Sequence, residues 1–263
     1  MASAAGRAAA RALLAAVSVL ALTACGAAVA RAPAGAPSRP APAFRLLLFS
    51  RTLGFRHDSI PDGIAAVEAL GRAHGFAVDV TEDPTRFTPA GLAAYRVVLF
   101  LSTTGDVLRG AERDALEGFL RAGGGFAGVH AAADALYDWP WYGGLVGAWF
   151  ARHPAVQRAT VRVADASQPS TRGLPDPWVR TDEWYDFRAD PRPSVHVLLT
   201  VDEASYQGGG MGPDHPIAWY HDYDGGRAWY TALGHVREAY ADPAFRAHLL
   251  GGIAYAAGRA WRS

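Results

Sequence analysis

Hydrophobic residues in the first half of the chain alternate between short unbroken runs and stripes at helical spacing. The runs at 45–50 and 97–101 are almost entirely apolar, which is typical of strands buried on both faces of a sheet. Between them, Ile64, Val67 and Leu70 recur at helical spacing and form one apolar stripe. This alternation predicts a parallel sheet covered by helices, and therefore an α/β fold.

Capping and turn residues set the expected ends of these elements. Ser59 can cap the first helix, Pro61 suits its first turn, and Gly75 ends it. A second helix is predicted over 111–121, because three glycines at 123–125 follow it. Further strands are expected at 77–80 and 125–130.

The second half of the chain is richer in strand-like segments. We expect some of these strands to extend the sheet, partly in antiparallel orientation, and a last helix to begin at Asp242 and Pro243. The expected strands cover 160–163, 179–184, 195–201, 217–220 and 228–231. Residues 44–260 therefore fit one domain, since ordinary α/β domains reach this length.

The first 25 residues have the features of a secretory signal. Arg7 and Arg11 precede the apolar stretch 12–22, which is too short to span a bilayer. The segment ends in Leu-Thr-Ala-Cys at 22–25, which resembles the cleavage site of bacterial lipoprotein signals. The resemblance implies a lipid on Cys25 and removal of everything before it.

The alternative is ordinary secretion with cleavage near Ala28 or Ala30, which would remove Cys25. Residues 26–43 are rich in Ala and Pro and are predicted to form a disordered linker. With the lipid in place, we expect the domain to be exported and held at the outer face of the cell membrane by the anchor alone.

Composition narrows the chemistry that the domain can perform. The formal net charge is zero and no basic run occurs, so nucleic-acid binding has no electrostatic footprint. Cys25 is the only cysteine, which leaves the domain without a disulfide, a Cys-based zinc site or a Cys nucleophile. Imidazole and carboxylate groups must then carry any reaction.

Ionisable side chains follow several of the predicted strands. In an open parallel sheet, ligands bind beyond the carboxyl ends of the strands, so these positions are the candidates for a site. The candidates are Arg56, His57 and Asp58 after the first strand, His130 and Asp134 after the fourth, Glu183 after the strand at 179–184, and His235 after the last.

His130 ends a glycine-rich strand and is followed by small residues, which is the pattern of a nucleophile elbow. A histidine at this turn suits proton transfer or metal binding better than acyl transfer. Asp134 comes one helical turn later, so we expect it to contact the His130 ring and fix its tautomer. The alternative is a half-buried histidine that is satisfied by a backbone carbonyl.

His57 lies just before the first helix, between Arg56 and Asp58. The free N–H groups of a helix start, together with the arginine, favour an anion or sugar hydroxyls. In the alternative interpretation, Asp58 only caps the helix and Arg56 pairs with a surface acid.

Aromatic residues accompany the acid at Glu183, which Trp184 and Tyr185 follow. Flat apolar faces beside an acid are a common way to hold a sugar ring, and Trp139 repeats the pattern. The alternative for each aromatic residue is the core. A divalent metal stays open, because His and Glu are proper ligands although no closely spaced His pair exists. His153 and His215 precede prolines and are expected only to shape turns.

Six motifs, spread over nearly the whole domain, begin at Phe55, Gly123, Trp141, Asp182, His215 and Gly226. Together they resemble the trehalose-utilisation (ThuA-like) family. The resemblance implies a fold similar to class I glutamine amidotransferases, a flavodoxin-like layered sandwich with a mostly parallel central sheet. It also implies a role in carbohydrate breakdown, on keto derivatives of glucosides. Glutamine hydrolysis is not expected, because His130 stands where those relatives have the elbow cysteine.

The first functional hypothesis is an enzyme that hydrolyses or isomerises an oxidised (keto) sugar or glycoside. His130 would act as acid or base oriented by Asp134, Glu183 and His57 would share proton transfer or hydroxyl binding, and His235 would complete the pocket. The second is a non-catalytic sugar-binding lipoprotein that serves a transporter or a partner oxidoreductase. The number of ionisable groups on one sheet edge disfavours a purely structural module.

Overall fold

A nine-stranded sheet forms the centre of the computed structural model, which describes residues 41–259. Its order is β2-β1-β3-β4-β11-β10-β9-β6-β7, and β5 and β8 form a separate two-stranded sheet. The strands are β1 Arg45–Phe49, β2 Ala77–Thr81, β3 Val97–Leu101, β4 Gly125–Val129, β5 Phe150–Arg152, β6 Gln157–Val163, β7 Trp178–Asp182, β8 Asp186–Phe187, β9 His196–Asp202, β10 Pro216–Tyr223 and β11 Gly226–Thr231.

The sheet has two halves with different strand directions. Strands β2, β1, β3, β4 and β11 pair in parallel and are called the parallel half. Strands β10, β9, β6 and β7 pair in antiparallel fashion and are called the antiparallel half; β10 joins β11 in a hairpin. The predicted α/β fold is confirmed, and so is the expectation that strands of the second half extend the sheet in antiparallel orientation.

Strands β1 and β3 are buried over nearly their full length, because apolar side chains cover both of their faces. The helices that flank the sheet are α1 Ile60–His74, α2 Pro89–Leu92, α3 Ala111–Arg121, α4 Pro140–Val146 and α5 Pro243–Ala256. Close approach of α5 to β4 requires a glycine: a Cβ atom at Gly125 would lie 2.0 Å from the carbonyl oxygen of Ala256. Within residues 41–259, no helix has both the length and the apolar character needed to cross a membrane.

The helix ends follow the predictions except at Ser59. Gly75 ends α1 with φ of 76°, and the Asp242 side chain accepts a hydrogen bond from the Ala244 N–H at the start of α5. The Ser59 side chain does not cap α1; its hydroxyl donates to the Gly234 carbonyl at 3.2 Å instead. Because Ser59 is helical in its own backbone, its hydroxyl is free to tie α1 to the loop after β11.

The expected signal, the lipid site at Cys25 and most of the linker lie outside the described residues. Trp219 and Trp229 are buried in the core, as their positions within strand-like runs predict.

Candidate functional site

Four ionisable side chains converge beyond the ends of β1, β4, β7 and β11: His57, His130, Glu183 and His235, here called the His/Glu cluster. His130 Nε2 lies 3.1 Å from His57 Nε2 and 3.1 Å from His235 Nδ1. Glu183 Oε2 lies 3.5 Å from His130 Nε2 and 3.2 Å from His235 Nδ1. One ligand atom from each side chain lies within 4.8 Å of every other, so residues far apart in sequence form one site.

The backbone at His130 makes the sharp turn that its sequence context predicts. Its φ is 53°, at the point where β4 passes into the short 3₁₀ helix His130–Ala133. A non-glycine residue in this region is strained, and such strain is common where a side chain must be presented to a site. The Tyr230 hydroxyl donates to the His130 carbonyl at 2.9 Å and helps hold the turn.

The tautomer of His130 is set by a backbone carbonyl. Its Nδ1–H donates to the Ala232 carbonyl at 2.7 Å, which leaves the Nε2 lone pair directed into the cluster. The Tyr185 hydroxyl lies 3.0 Å from the same nitrogen, in addition to the three cluster neighbours. One lone pair cannot serve four polar neighbours, so this crowding favours a cation at the centre of the cluster.

The protonation states suit metal binding at neutral pH. Burial, followed by the charges of His130 and His235, lowers the pKa of His57 to about 3. Burial opposes ionisation of Glu183, but hydrogen bonds with His130 and His235 lower its pKa to about 2. Burial also lowers the pKa of His235, yet its contact with Glu183 outweighs this and the net shift is upward. His57 is therefore neutral and Glu183 ionised, which are the states that coordinate metals.

A buried aspartate, Asp182, fixes two members of the cluster through their backbones. Its Oδ1 accepts hydrogen bonds from the N–H groups of His235 at 3.0 Å and Glu183 at 3.1 Å. Its Oδ2 accepts from the Gly234 N–H at 3.0 Å and from Arg180 at 3.1 Å. Asp182 thus joins the end of β7 to the loop after β11 and sets the separation of Glu183 and His235.

Asp134 does not contact the His130 ring, contrary to the expectation that it fixes the tautomer. Its carboxylate accepts a 2.6 Å hydrogen bond from the Tyr137 hydroxyl, and burial raises its pKa. The chain after β4 forms a 3₁₀ turn rather than the expected α-helical turn, and the Ala232 carbonyl occupies the Nδ1 side of the ring.

Two of the aromatic residues predicted to bind sugar lie in the core and do not line the cluster. Trp139 and Trp184 are buried, and their indole N–H groups donate to Glu117 at 3.3 Å and to the Gln157 carbonyl at 2.9 Å. Tyr185 is also buried, but its hydroxyl reaches His130. Its contribution to the site is a hydroxyl group rather than a stacking face.

The charged neighbours of His57 are exposed to solvent rather than buried in the cluster. Arg56 is exposed and pairs with Glu82 at 2.7 Å and with Thr52 at 3.3 Å, as the alternative interpretation for this residue expected. Asp58 is exposed as well. Of this tripeptide, only His57 is buried in the cluster.

His153 is a site residue that the sequence interpretation missed. Its Nδ1 lies 3.0 Å from Glu183 Oε1 and 2.8 Å from the Pro154 carbonyl, and its side chain is 41% exposed. The following proline suggested only a turn. The three-residue strand β5, which ends at Arg152 and brings His153 to the cluster, is too short to give a periodic signal.

His215 lies behind the cluster and supports Tyr185. Its Nε2–H donates to the Tyr185 carbonyl at 2.8 Å, and its Nδ1 lies 2.9 Å from Glu203. Glu203 also accepts from the N–H groups of Met211 and Gly212. These bonds anchor the segment before β10 beneath Tyr185.

The fold and the cluster together define a layered α/β protein whose strand-end loops bring ionisable side chains into one largely buried place. The chain belongs to the ThuA family, described as trehalose utilisation, whose model matches residues 45–256. The predicted resemblance is therefore confirmed, and the family indicates a carbohydrate-related role. No curated protein sequence matches the chain significantly.

Solved structures agree on the fold. A putative ThuA-like protein from Bacteroides uniformis is 27% identical, with a TM-score of 0.72 over 85% of this chain and 95% of that one. A second from Parabacteroides merdae is 21% identical, with a TM-score of 0.72 over 84% and 92%. A β-galactosidase from Rahnella sp. R3 is similar in fold alone, at 18% identity and a TM-score of 0.52 over 82% of this chain and 31% of that one.

Proposed function

We propose that this protein is a carbohydrate-catabolic enzyme that acts on an oxidised (keto) sugar or glycoside through a divalent metal ion held by the His/Glu cluster. The observation that carries the proposal is the convergence of three imidazole nitrogens and one carboxylate oxygen in a largely buried place. The family's description, trehalose utilisation, supports the sugar as substrate class.

The spacing of the cluster fits four ligands of one divalent ion, which can accept a fifth ligand from the substrate by expanding its coordination. Ligands bound tetrahedrally at roughly 2.0–2.1 Å lie about 3.3 Å apart. The neighbouring atoms of the cluster lie 3.1–3.5 Å apart. Three nitrogens and one carboxylate oxygen are a donor set that zinc accepts, and the Ala232 carbonyl is the outer partner that orients a ligating His130.

The proposed reaction begins with removal of a proton from the carbon beside the keto group. With room for a fifth ligand, a bound ion would polarise the keto oxygen of the sugar. In isomerisation, the C–H proton beside the carbonyl passes to a base and returns to the former carbonyl carbon. The proton of the neighbouring hydroxyl passes to the former carbonyl oxygen, so no oxidant or reductant is consumed. His153 is the best-placed base outside the cluster, because its ring lies against Glu183 and reaches solvent. Burial raises the pKa of Tyr185 well above its usual value, so its hydroxyl stays a donor for the sugar oxygens.

The test combines metal analysis with turnover. The purified domain is expected to bind one Zn²⁺ or Co²⁺ per chain and to convert a member of a panel of keto-glucosides that includes the keto derivative of trehalose. H130A should abolish turnover and weaken metal binding, whereas H196A, at an exposed histidine on β9, should change neither. Full turnover by H130A would contradict the proposal; sugar binding without turnover by the wild type would favour the non-catalytic binding lipoprotein.

The cellular setting is part of the proposal. With a lipid on Cys25, the domain works at the outer face of the cell membrane, where free NAD is scarce, so a partner oxidoreductase would supply the keto sugar. The test is incorporation of labelled fatty acid in cells: C25S is expected to lose the label and to leave the membrane fraction. A C25S variant that stays in the membrane fraction would contradict the anchor.

A further inference from the structure

An exposed aromatic side chain, Phe55, lies at the edge of the His/Glu cluster. It is 66% exposed, and it is the only exposed Phe, Tyr or Trp in the part of the chain that the structure describes. Its ring packs edge-on against His57, with centroids 4.8 Å apart and an interplanar angle of 84°. Leu53, 51% exposed, lies two residues earlier in the same loop. A large apolar surface therefore adjoins a buried polar cluster.

The loop that carries Phe55 is held firmly by the segment after β3. The Leu53 N–H donates to the Thr104 carbonyl at 2.8 Å, and the Thr104 hydroxyl donates to the Phe55 carbonyl at 2.8 Å. The Gly54 N–H donates to the same hydroxyl oxygen at 3.2 Å. With its backbone fixed on both sides, the Phe55 ring is presented to solvent in a defined place, as a pre-organised binding surface requires.

We propose that Phe55 is the stacking platform for a sugar ring of the substrate, and that the substrate is therefore a glycoside of at least two rings. A sugar has an apolar C–H face and a polar hydroxyl edge, and a flat aromatic ring beside polar groups matches both. The keto ring lies over the cluster and the second ring lies on Phe55, with Leu53 extending the apolar contact. This inference rests on the proposed function, because it takes the cluster as the reacting end.

The experiment compares one-ring and two-ring substrates in the same variants. The probes are keto-glucose and the keto derivative of trehalose, and the readouts are KM and kcat. F55A is expected to raise KM for the two-ring probe about 10-fold while leaving kcat, and KM for keto-glucose, within about 2-fold. F55W should restore KM, and V179A, at an exposed valine of the edge strand β7, should match the wild type.

The possible results distinguish a failure of the Phe55 platform from a failure of the proposed function. Unchanged KM for both probes in F55A, with wild-type turnover intact, overturns the platform and leaves the proposed function standing. An equal rise for both probes also overturns it, since the cluster rather than a second subsite would then be affected. If F55A instead loses binding to phospholipid vesicles or loses self-association, Phe55 serves another surface. A wild-type protein that holds metal but converts and binds no sugar overturns the proposed function and this inference together.

Discussion

The two halves of the sheet contribute to the site in different ways. The parallel half supplies the imidazoles, because His57, His130 and His235 follow β1, β4 and β11 directly or within one loop. The antiparallel half supplies the carboxylate of Glu183, one residue after β7 at the far edge of the sheet. The ends of β1, β4 and β11 position the imidazoles. The Glu183 carboxylate is held near them by Asp182, which accepts hydrogen bonds from the Glu183 N–H and from the N–H groups of Gly234 and His235 in the loop after β11. The candidate site therefore forms where residues from the two halves of the sheet meet.

Removal of the carboxylate is expected to have the largest effect. E183A should lower Zn²⁺ affinity by more than the 10–100-fold that loss of an outer partner costs, and turnover should fall below detection. Competition with a chromophoric chelator measures the affinity. D114A, at an exposed acid of α3, is the matched control. If E183A keeps wild-type affinity, the parallel half alone forms the site and the comparison between halves fails.

Acidification should lower the free energy of unfolding through protonation of His248, which lies on α5 against the parallel half of the sheet. This ring is fully buried on α5, its Nδ1–H donates to the Ser170 carbonyl at 2.8 Å, and its Nε2 has no hydrogen-bond partner. Burial lowers its pKa from 6.5 to about 4. Between these values the unfolded chain binds a proton that the folded chain does not, so stability is full above pH 6.5 and falls by up to about 3 kcal/mol as the pH drops to 4.

Urea unfolding in the presence of a chelator, followed from pH 7.5 to 4, measures this loss. H248Q keeps a donor for Ser170 without the titrating ring, so its stability should fall less steeply than that of the wild type. H196Q, at an exposed histidine, should follow the wild-type curve. Parallel curves for H248Q and the wild type would exclude His248 as the origin of the acid sensitivity.

Weakening the Asp182 hydrogen bonds between the two halves should have an intermediate effect on metal affinity. In D182N one carboxylate oxygen becomes an NH₂ group, which cannot accept a hydrogen bond. With the amide oxygen at the Oδ1 position, the Gly234 N–H and Arg180 lose their acceptor, and the loop that carries His235 is held less firmly. We expect metal affinity to fall roughly 10–100-fold and the visible spectrum of the Co²⁺-loaded protein to change. D106N, at an exposed aspartate, serves as control. A D182N protein with an unchanged Co²⁺ spectrum would mean that Asp182 supports only the fold.

The smallest effect is expected at Arg56, whose exposed ion pair with Glu82 should contribute less than about 1 kcal/mol. R56A should therefore change the free energy of unfolding very little and leave KM for a neutral keto-glycoside within 2-fold. A large rise in KM would restore the sequence-based hypothesis that Arg56 binds substrate.

The same contrast decides what could be predicted from sequence. Strands β1 and β3 were predicted to within a residue, because a strand buried on both faces is an unbroken apolar run. The ends of β6 and β10 were placed up to three residues away from those observed. The short elements β5, β8, α2 and α4 were missed, because two to seven residues give no clear period.

The sequence predicted which residues form the candidate site better than it predicted their hydrogen-bond partners. His57, His130, Glu183 and His235 were selected because they follow strands, and the structure brings these four together. The partner of His130 was not predictable, because the Ala232 carbonyl lies about a hundred residues away and carries no residue-type signal. Sequence spacing suggested Asp134 instead, which holds only if the chain continues as an α-helix.

The position of β11 has a consequence for folding. Although it is the last strand, it inserts between β4 and β10, and its parallel pairing joins Gly125 to Arg227. Such long-range pairing forms slowly, because a large loop must close first. His235 reaches its place only after this insertion, and so does the Ala232 carbonyl that orients His130. The four-ligand cluster is therefore complete only when the chain is fully folded. Partly folded chains should bind Co²⁺ weakly. The spectrum of tightly bound Co²⁺ should appear with the slowest refolding phase.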